Sequence, residues 1–367
     1  MFDIGRSRRA EQAYALEDIA IVPSRRTRGD EEVSLSWRID AATFAVPLIA
    51  APMDSLMSPA TAIQMGQLGG LGVLNLEGLW TRYDDPEPLF DDIAQCPDSI
   101  TATRLMQKLY AAPIRSELIG KRIATIRESG VPAAGALSPQ NTQEHAAAVV
   151  ESGVDFFVIR GATVSAEHVS SAREPLNLKQ FIYELDVPVI VGGCATYQAA
   201  LHLMRTGAAG VLVGFGGGSA STTRSVLGVA VPMASAVSEV AAARRDYLDE
   251  SGGRYVHVIA DGSVGTSGDI AKAIACGADA VMVGSPLAKA NEAPGRGFHW
   301  GPEAWHDTLP RGERAHYGTV GSLEQILLGP ATVADGTMNL VGALRRSMAT
   351  TGYTEVKEFQ RVEVVVG

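Results

Sequence analysis

Cysteine is scarce in this chain. Cys96, Cys194 and Cys276 are the only three in 367 residues. They show neither metal-ligand spacing nor the density of a disulfide framework, which excludes a cystine-stapled secreted scaffold and fits a reducing compartment. An excess of positive charge is also missing. The formal net charge is -10, which argues against a broad nucleic-acid footprint. No apolar run approaches the ~18 residues a membrane helix needs. The opening Met1-Phe-Asp-Ile-Gly-Arg-Ser-Arg-Arg9 lacks the apolar core of a signal peptide, and low-complexity segments are absent. The expectation is a soluble, cytoplasmic chain with no nucleic-acid and no membrane partner.

Glycine, by contrast, is concentrated where it matters. Gly214-Phe-Gly-Gly-Gly-Ser-Ala-Ser-Thr-Thr-Arg224 holds four glycines in its first five positions. It follows the apolar run Gly210–Val213, which reads as a buried strand. Such a loop turns sharply and exposes backbone N–H and C=O groups to a small ligand. Ser219, Ser221, Thr222 and Thr223 add hydroxyls, and Arg224 adds a fixed charge. A strand opening into this kind of loop is a common phosphate holder.

The design recurs. Gly277-Ala-Asp-Ala-Val-Met-Val-Gly284 repeats the pattern of Gly207-Ala-Ala-Gly-Val-Leu-Val-Gly214, and Ser152–Arg160 is a looser copy. Helix, glycine and apolar strand in repetition indicate βα units around a parallel sheet. Eight short strands are expected: 46–53, 72–75, 133–138, 156–160, 189–194, 210–214, 257–261 and 280–284. Most are apolar throughout, as strands buried on both faces are. Helical periodicity covers 59–68, 115–129, 197–206, 233–249 and 268–276. The expected fold class is therefore α/β, a TIM (β/α)₈ barrel forming a single domain over residues 1–367. Its active face is formed by the loops after the strands.

Two regions depart from the repeat. The connection between strands two and three, 76–131, is elaborated by acidic, proline-containing sequence and a helical stretch at 102–110. Residues 295–340 are rich in Gly, Pro and Trp, and form a C-terminal lid region or a surface loop past strand eight. The final segment, 358–366, reads as a terminal strand or tail.

The loops after strands six, seven and eight place Ser219, Gly262, Ser263, Gly284 and Ser285 together as phosphate donors. Asp261 would repel a phosphate and is better suited to sugar hydroxyls. A phosphate with an acid set back from it describes a nucleoside monophosphate.

At this point the chain resembles the IMP dehydrogenase and GMP reductase family. The resemblance rests on the order Ala50-Ala-Pro-Met-Asp-Ser55, Gly69-Gly-Leu-Gly-Val73, Gly214–Arg224, Ala260-Asp-Gly262, Gly284-Ser285 and Glu292-Ala-Pro-Gly295, and spans roughly residues 16–348. The run Glu292–Gly301 and the tail Gly342–Met348 look like the family's IMP dehydrogenase-related paralogue, which lacks paired CBS (Bateman) domains. No such module fits in the 76–131 interval.

The resemblance implies that Met53 packs against the purine of IMP or XMP. It puts Ser219, Gly262, Gly284, Ser285 and Tyr317 around the phosphate, with Asp261 on the ribose. NAD would stack on the base near Gly214 and Thr223, with Gly216 and Arg160 on the cofactor side. The carbonyls of Gly216, Gly218 and Ser221 fall where the family often binds a monovalent cation, K⁺. A homotetramer, or an octamer of stacked tetramers, is implied as well.

The departures are specific. The family's nucleophile is a cysteine whose thiolate adds to C2 of the hypoxanthine ring; Ser221 stands in its place, with Thr223 beside it. Gly193 replaces an asparagine after strand five, Arg160 an acidic contact to NAD, and Ser263 a glycine. The family's water-activating Arg-Tyr pair has no clear match in 322–342. A thiol is a few per cent thiolate at neutral pH, whereas a serine needs a base, and the loop itself contains none. Three readings stay open: NAD-dependent oxidation of IMP to XMP, nucleotide binding without turnover, and reductive deamination of GMP with NADPH. Cys194 and Cys276 read as packing, and His257 as a satisfied core histidine. His299, Trp300, Trp305 and His306 cluster in the lid region, where a histidine can serve as a pH-sensitive base but more often takes a surface or interface role.

Overall fold

The computed structural model describes residues 2–5, 8–171 and 174–367. Eight parallel strands close into a barrel. They are β1 (Leu48–Ala50), β2 (Leu71–Asn75), β3 (Ala134–Leu137), β4 (Phe156–Arg160), β5 (Val189–Cys194), β6 (Gly210–Val213), β7 (His257–Asp261) and β8 (Ala280–Val283). Each pairs with its sequence neighbour, and β8 pairs with β1 to close the cylinder. The barrel helices are α1 (Pro59–Gln67), α2 (Ser116–Glu128), α3 (Pro139–Glu151), α4 (Leu178–Tyr183), α5 (Tyr197–Met204), α6 (Met233–Glu250), α7 (Ser267–Ala275) and α8 (Leu340–Thr350). Among the described residues, no helix is long and apolar enough to cross a membrane.

The all-apolar strands follow from two packed faces. Side chains alternate along a strand. One alternate set, including Ile49, Val73, Ala136, Val158, Ile190, Leu212, Ile259 and Met282, fills the barrel interior. The other, including Leu74, Phe157, Ile159, Val191, Val211 and Val258, packs against the helices. A hairpin of Trp37–Ile39 and Ala42–Phe44 plugs the N-terminal end. There Trp37 stacks on Phe44 at 5.4 Å between ring centroids and donates from Nε1 to His257 Nδ1 at 3.2 Å. His257 is thus a satisfied histidine of the barrel floor.

Local chemistry starts the helices. Ser58 caps α1 reciprocally with Thr61, and Pro59 takes the first helical position. Thr266 and Asp269 do the same for α7. The acidic stretch between strands two and three contains a helix that periodicity alone conceals, Glu87–Gln95. Phe90 and Ile93 are its buried face, and its prolines sit at the start, where they are tolerated. The neighbouring helix, Ser99–Tyr110, begins at an Asp98 cap, three residues before the expected stretch.

Past β8 the chain forms a flap. Phe298–His299 pairs antiparallel with Ala315–His316, and the tip between them rests on the glycine-rich loop. Thr222 N–H donates to the Arg311 carbonyl at 2.9 Å, and Glu313 N–H to the Ala220 carbonyl at 3.0 Å. The tail forms a short helix, Val356–Phe359, and then a strand, Val364–Val366, paired with Ile19–Ile21.

Candidate active site at the barrel mouth

Register decides which side chains reach the mouth. Arg160 lies two residues beyond inward-facing Val158, and Asp261 two beyond inward-facing Ile259. Both therefore point into the C-terminal opening. By the same count Met53 follows Ala51, and Gly284 follows Met282. A cavity of ≈ 130 Å³ is lined there by Met53, Arg160, Gly193, Gly214, Gly216, Gly218, Ser219, Ser221, Thr223, Asp261, Gly262, Ser263, Gly284 and Ser285, together with His299 and Glu303 from the flap. It adjoins a second cavity of ≈ 490 Å³, and Arg160, Gly161, Ala162 and Glu303 line both.

Loop geometry is tight. Gly214 has φ +155°, and a Cβ there would overlap the Asp261 carbonyl. Ser263 has φ +55°, left-handed backbone that favours glycine. Its N–H and Oγ both bond the Gly217 carbonyl, at 2.8 and 3.0 Å. Gly193 has no room for a side chain, because a Cβ would run into the Gly214 carbonyl.

Ser221 sits under the flap. Its Oγ lies 2.9 Å from Thr223 Oγ1 and 3.4 Å from the Arg311 carbonyl, and it accepts from Thr223 N–H at 3.3 Å. No imidazole or carboxylate bonds it among the described residues. The titratable side chains lining the cavity are Arg160, Asp261, His299 and Glu303.

Arg160 and Asp261 form a buried ion pair. Nε meets Oδ2 at 2.9 Å and Nη2 meets Oδ1 at 3.4 Å, with the side chains 15% and 11% exposed. Burial disfavours the guanidinium charge, but the Asp261 carboxylate more than offsets this and raises its pKa. Arg160, expected beside a cofactor, thus occupies the acid expected to face a ribose.

The histidines separate. His306 is half-buried and lines the second cavity. Trp300 is buried, and so is His299, which lines the first; this corrects the surface expectation. Its strand is two residues long, too short for alternation to show in the sequence. Burial, and then the charge of Arg160, push its pKa down to about 4. Tyr317 does not line the cavity; its ring centroid lies 6.1 Å from that of His299, and its N–H is bonded to the Gly297 carbonyl. Glu303, absent from the sequence reading, carried only the signal of an acid after Gly301-Pro302. Cys194 is buried, donates to the Leu212 carbonyl, and has its thiol pushed up to about 12 by burial, which leaves it inert.

A buried network holds the loop after β1 to the flap. Asp54 accepts from Leu79 N–H at 2.6 Å, Tyr110 Oη at 2.8 Å and Asn75 Nδ2 at 3.2 Å. Trp300 Nε1 donates to Tyr110 Oη at 3.1 Å. Burial pushes the Asp54 carboxyl up to about 6, against the pull of those donors.

As for a cation, Gly216, Gly218 and Ser221 share one turn, closed by Ser221 N–H to the Gly218 carbonyl at 2.9 Å. One of the three implied carbonyls is therefore already engaged. Among the described residues, no group of three His, Cys, Asp or Glu side chains could hold a metal ion.

A closed parallel (β/α)₈ barrel with Gly/Ser loops lining a cavity at the C-terminal mouth defines the TIM-barrel class. The particular family follows from comparison. Residues 13–304 match the family model for the IMP dehydrogenase / GMP reductase domain, and the chain belongs to that family. It is 54% identical to an uncharacterized oxidoreductase of Mycolicibacterium smegmatis, with 100% of both chains covered. Identity to an inosine-5′-monophosphate dehydrogenase of Cryptosporidium parvum is 30%, covering 85% of this chain and 76% of that one. The crystal structure of an IMP dehydrogenase/GMP reductase-like protein from Corynebacterium glutamicum superposes with a TM-score of 0.95 at 50% identity, covering 100% of this chain and 97% of that one.

Proposed function

We propose that the barrel-mouth cavity binds a purine nucleoside 5′-monophosphate, IMP or XMP, and that the chain oxidises IMP to XMP with NAD slowly, because Ser221 occupies the nucleophile's position. The observation that carries this reading is the bonding of Ser221. Its hydroxyl faces Thr223 Oγ1 and a backbone carbonyl, neither of which is a base at neutral pH. Addition of the oxygen to an electron-poor ring carbon requires the hydroxyl proton to leave, so the alkoxide is scarce when attack is needed. A tenfold loss in rate is about 1.4 kcal/mol of barrier, so a loss on the order of 10³ needs only about 4 kcal/mol.

NAD, when bound, supplies the hydride acceptor. The cavity beside Arg160 is where this chain has room for it, with Glu77 and Glu303 as the carboxylates on its wall. Arg160 supports a second reading, nucleotide binding without turnover. Its guanidinium replaces an acceptor of ribose hydroxyls and engages another.

Two measurements test the proposal. Calorimetric titration with IMP should show binding that Ser285→Asp abolishes; unchanged affinity in that variant places the phosphate elsewhere. NADH absorbance with IMP, NAD and K⁺ should show slow turnover that Ser221→Cys raises at least tenfold. Equal rates remove Ser221 from the nucleophile's role. Two inactive proteins that both bind IMP establish the second reading, and consumption of NADPH with GMP would replace both.

A further inference from the structure

We propose that His299 is a ligand-binding residue whose Nε2–H donates to the phosphate of the bound nucleotide. The proposal rests on the nucleotide reading above and assigns a contact to a residue outside the glycine-rich loops.

The flap strand presents its two residues to opposite sides. Phe298 faces away from the cavity, against His316 and under the Arg314 guanidinium. His299 faces inward and is 3% exposed. Its two nitrogens have different fates. Nδ1 lies 3.1 Å from Ser55 Oγ, in the loop after β1, and Ser55 is wholly buried. Nε2 has no hydrogen-bond partner among the described residues. It lies, with Cε1, 3.6 Å from where a Cβ on Gly284 would stand. It is therefore aimed at the Gly284-Ser285 wall of the cavity, where the loop after β8 supplies N–H and hydroxyl donors.

Nε2 is the side of the ring left open to the cavity, where a bound ligand can reach it.

Ser55 makes the ring adaptable. Its oxygen also lies 3.2 Å from the Trp300 carbonyl and 3.3 Å from Trp300 N. A serine hydroxyl has one proton and rotates. Turned to the Trp300 carbonyl, it accepts from Nδ1–H and leaves Nε2 a bare acceptor. Turned to Nδ1, it leaves the proton on Nε2, which then donates into the cavity. The exchange costs one neutral hydrogen bond and no net charge. Burial and Arg160 keep the imidazole neutral, so the donor needs no protonation of the ring to serve an anion.

The test uses the full chain and two ligands that differ only in the phosphate, IMP and inosine, titrated by calorimetry. His299→Phe keeps the ring volume and removes the donor. It should weaken IMP about 10- to 100-fold, the range for a hydrogen bond to a charged group, and leave inosine within about twofold. His299→Gln restores a donor at the Nε2 position and should recover most of the loss. Equal weakening of both ligands overturns the proposal, because Met53 Sδ lies 4.0 Å from the same Gly284 point and a purine contact would behave that way. Unchanged IMP affinity overturns it as well. If His299→Phe fails to fold, Ser55→Ala supplies the readout: a selective loss for IMP supports the assignment, and none overturns it. Failure of the unmodified chain to bind IMP rejects the nucleotide reading itself.

Discussion

Arg160 Nε lies 2.9 Å from Asp261 Oδ2, although 101 residues separate them in the chain. The two residues end β4 and β7, and each is the last inward-facing position of its strand. Breaking such a pair from one side strands a buried charge. Arg160→Met should therefore destabilise the protein by about 3 kcal/mol, while Arg160→Met with Asp261→Asn should recover most of the loss. Urea unfolding of the four proteins checks this. Additive losses would show that the pair is not coupled.

Stability between pH 4 and 6.5 reflects two opposed groups. The Asp54 carboxyl is raised in the fold to about 6 from 3.8. The folded state then binds more protons than the unfolded one across that interval. The Asp54 contribution is full at the acid end and is lost as pH rises through 6. His299 is lowered to about 4 from 6.5. Here the unfolded state binds more protons, so stability is lost as pH falls from 6.5 toward 4. Each linkage is on the order of 3 kcal/mol, and in the intact protein they largely cancel. Asp54→Asn should steepen the acid-side loss, and His299→Gln should reverse the slope. Thermal midpoints at half-unit pH steps read both directly, and parallel curves for all three proteins would refute the linkage.

Ser263 sets a backbone strain of roughly 1–2 kcal/mol against its Oγ hydrogen bond to the Gly217 carbonyl, worth roughly 0.5–1.5 kcal/mol. Ser263→Ala keeps the strain and loses the bond, so it should cost about 1 kcal/mol. Ser263→Gly loses both and should be within about 0.5 kcal/mol of the parent. The order of denaturant midpoints, with alanine lowest, is the check. Alanine matching serine would mean that the hydroxyl contributes nothing.

Arg314 ties the flap to the connection between β2 and β3. Its buried guanidinium donates to the Ile93 carbonyl at 2.6 Å, the Ala94 carbonyl at 2.9 Å and the Cys96 carbonyl at 2.9 Å. Ile93 and Ala94 lie in the last turn of helix Glu87–Gln95 and Cys96 caps it, so the guanidinium adds donors to carbonyls at the helix end. Arg314→Met should loosen the flap by about 2 kcal/mol. Hydrogen exchange at the Thr222 and Glu313 amides, which bridge flap and loop, should accelerate more than tenfold. Exchange at Val158 and Ile259, inside the barrel, should not change. Uniform acceleration would point to global destabilisation instead.

The barrel was legible because its signal is repetitive. All eight strands are short and closed by glycine or a turn, most are apolar throughout, and each falls where expected. The convergence of Ser219, Gly262, Gly284 and Ser285 on one cavity was legible for the same reason: each lies in a loop that follows a strand end. What stayed hidden needed long-range geometry. Helix Glu87–Gln95 has a proline at its N-cap, another inside its first turn and a dense acidic face, which mask Phe90 and Ile93. The flap strand holds two residues, so no alternation marks His299 as inward. The Arg160–Asp261 pair could have been drawn from strand register, since both residues end an inward-facing series. Their adjacency across the mouth, however, depends on how the cylinder closes. Glu292 shows the opposite limit. It stands in a motif that points to function, yet its carboxylate accepts from Leu323 N–H at 2.9 Å and Gln64 Nε2 at 3.3 Å, which is a packing role.

Tyr110 receives the Trp300 indole N–H and stacks flat against Trp305, with centroids 4.3 Å apart and planes 4° from parallel. The ceiling of the cavity is thus hung from a segment some two hundred residues earlier in the chain. An engineer who trimmed the connection between β2 and β3 to obtain a minimal eight-unit scaffold would keep the cylinder and lose its ceiling. Conversely, altering that connection alone offers a way to reshape the entrance without touching a single residue of the glycine-rich loops.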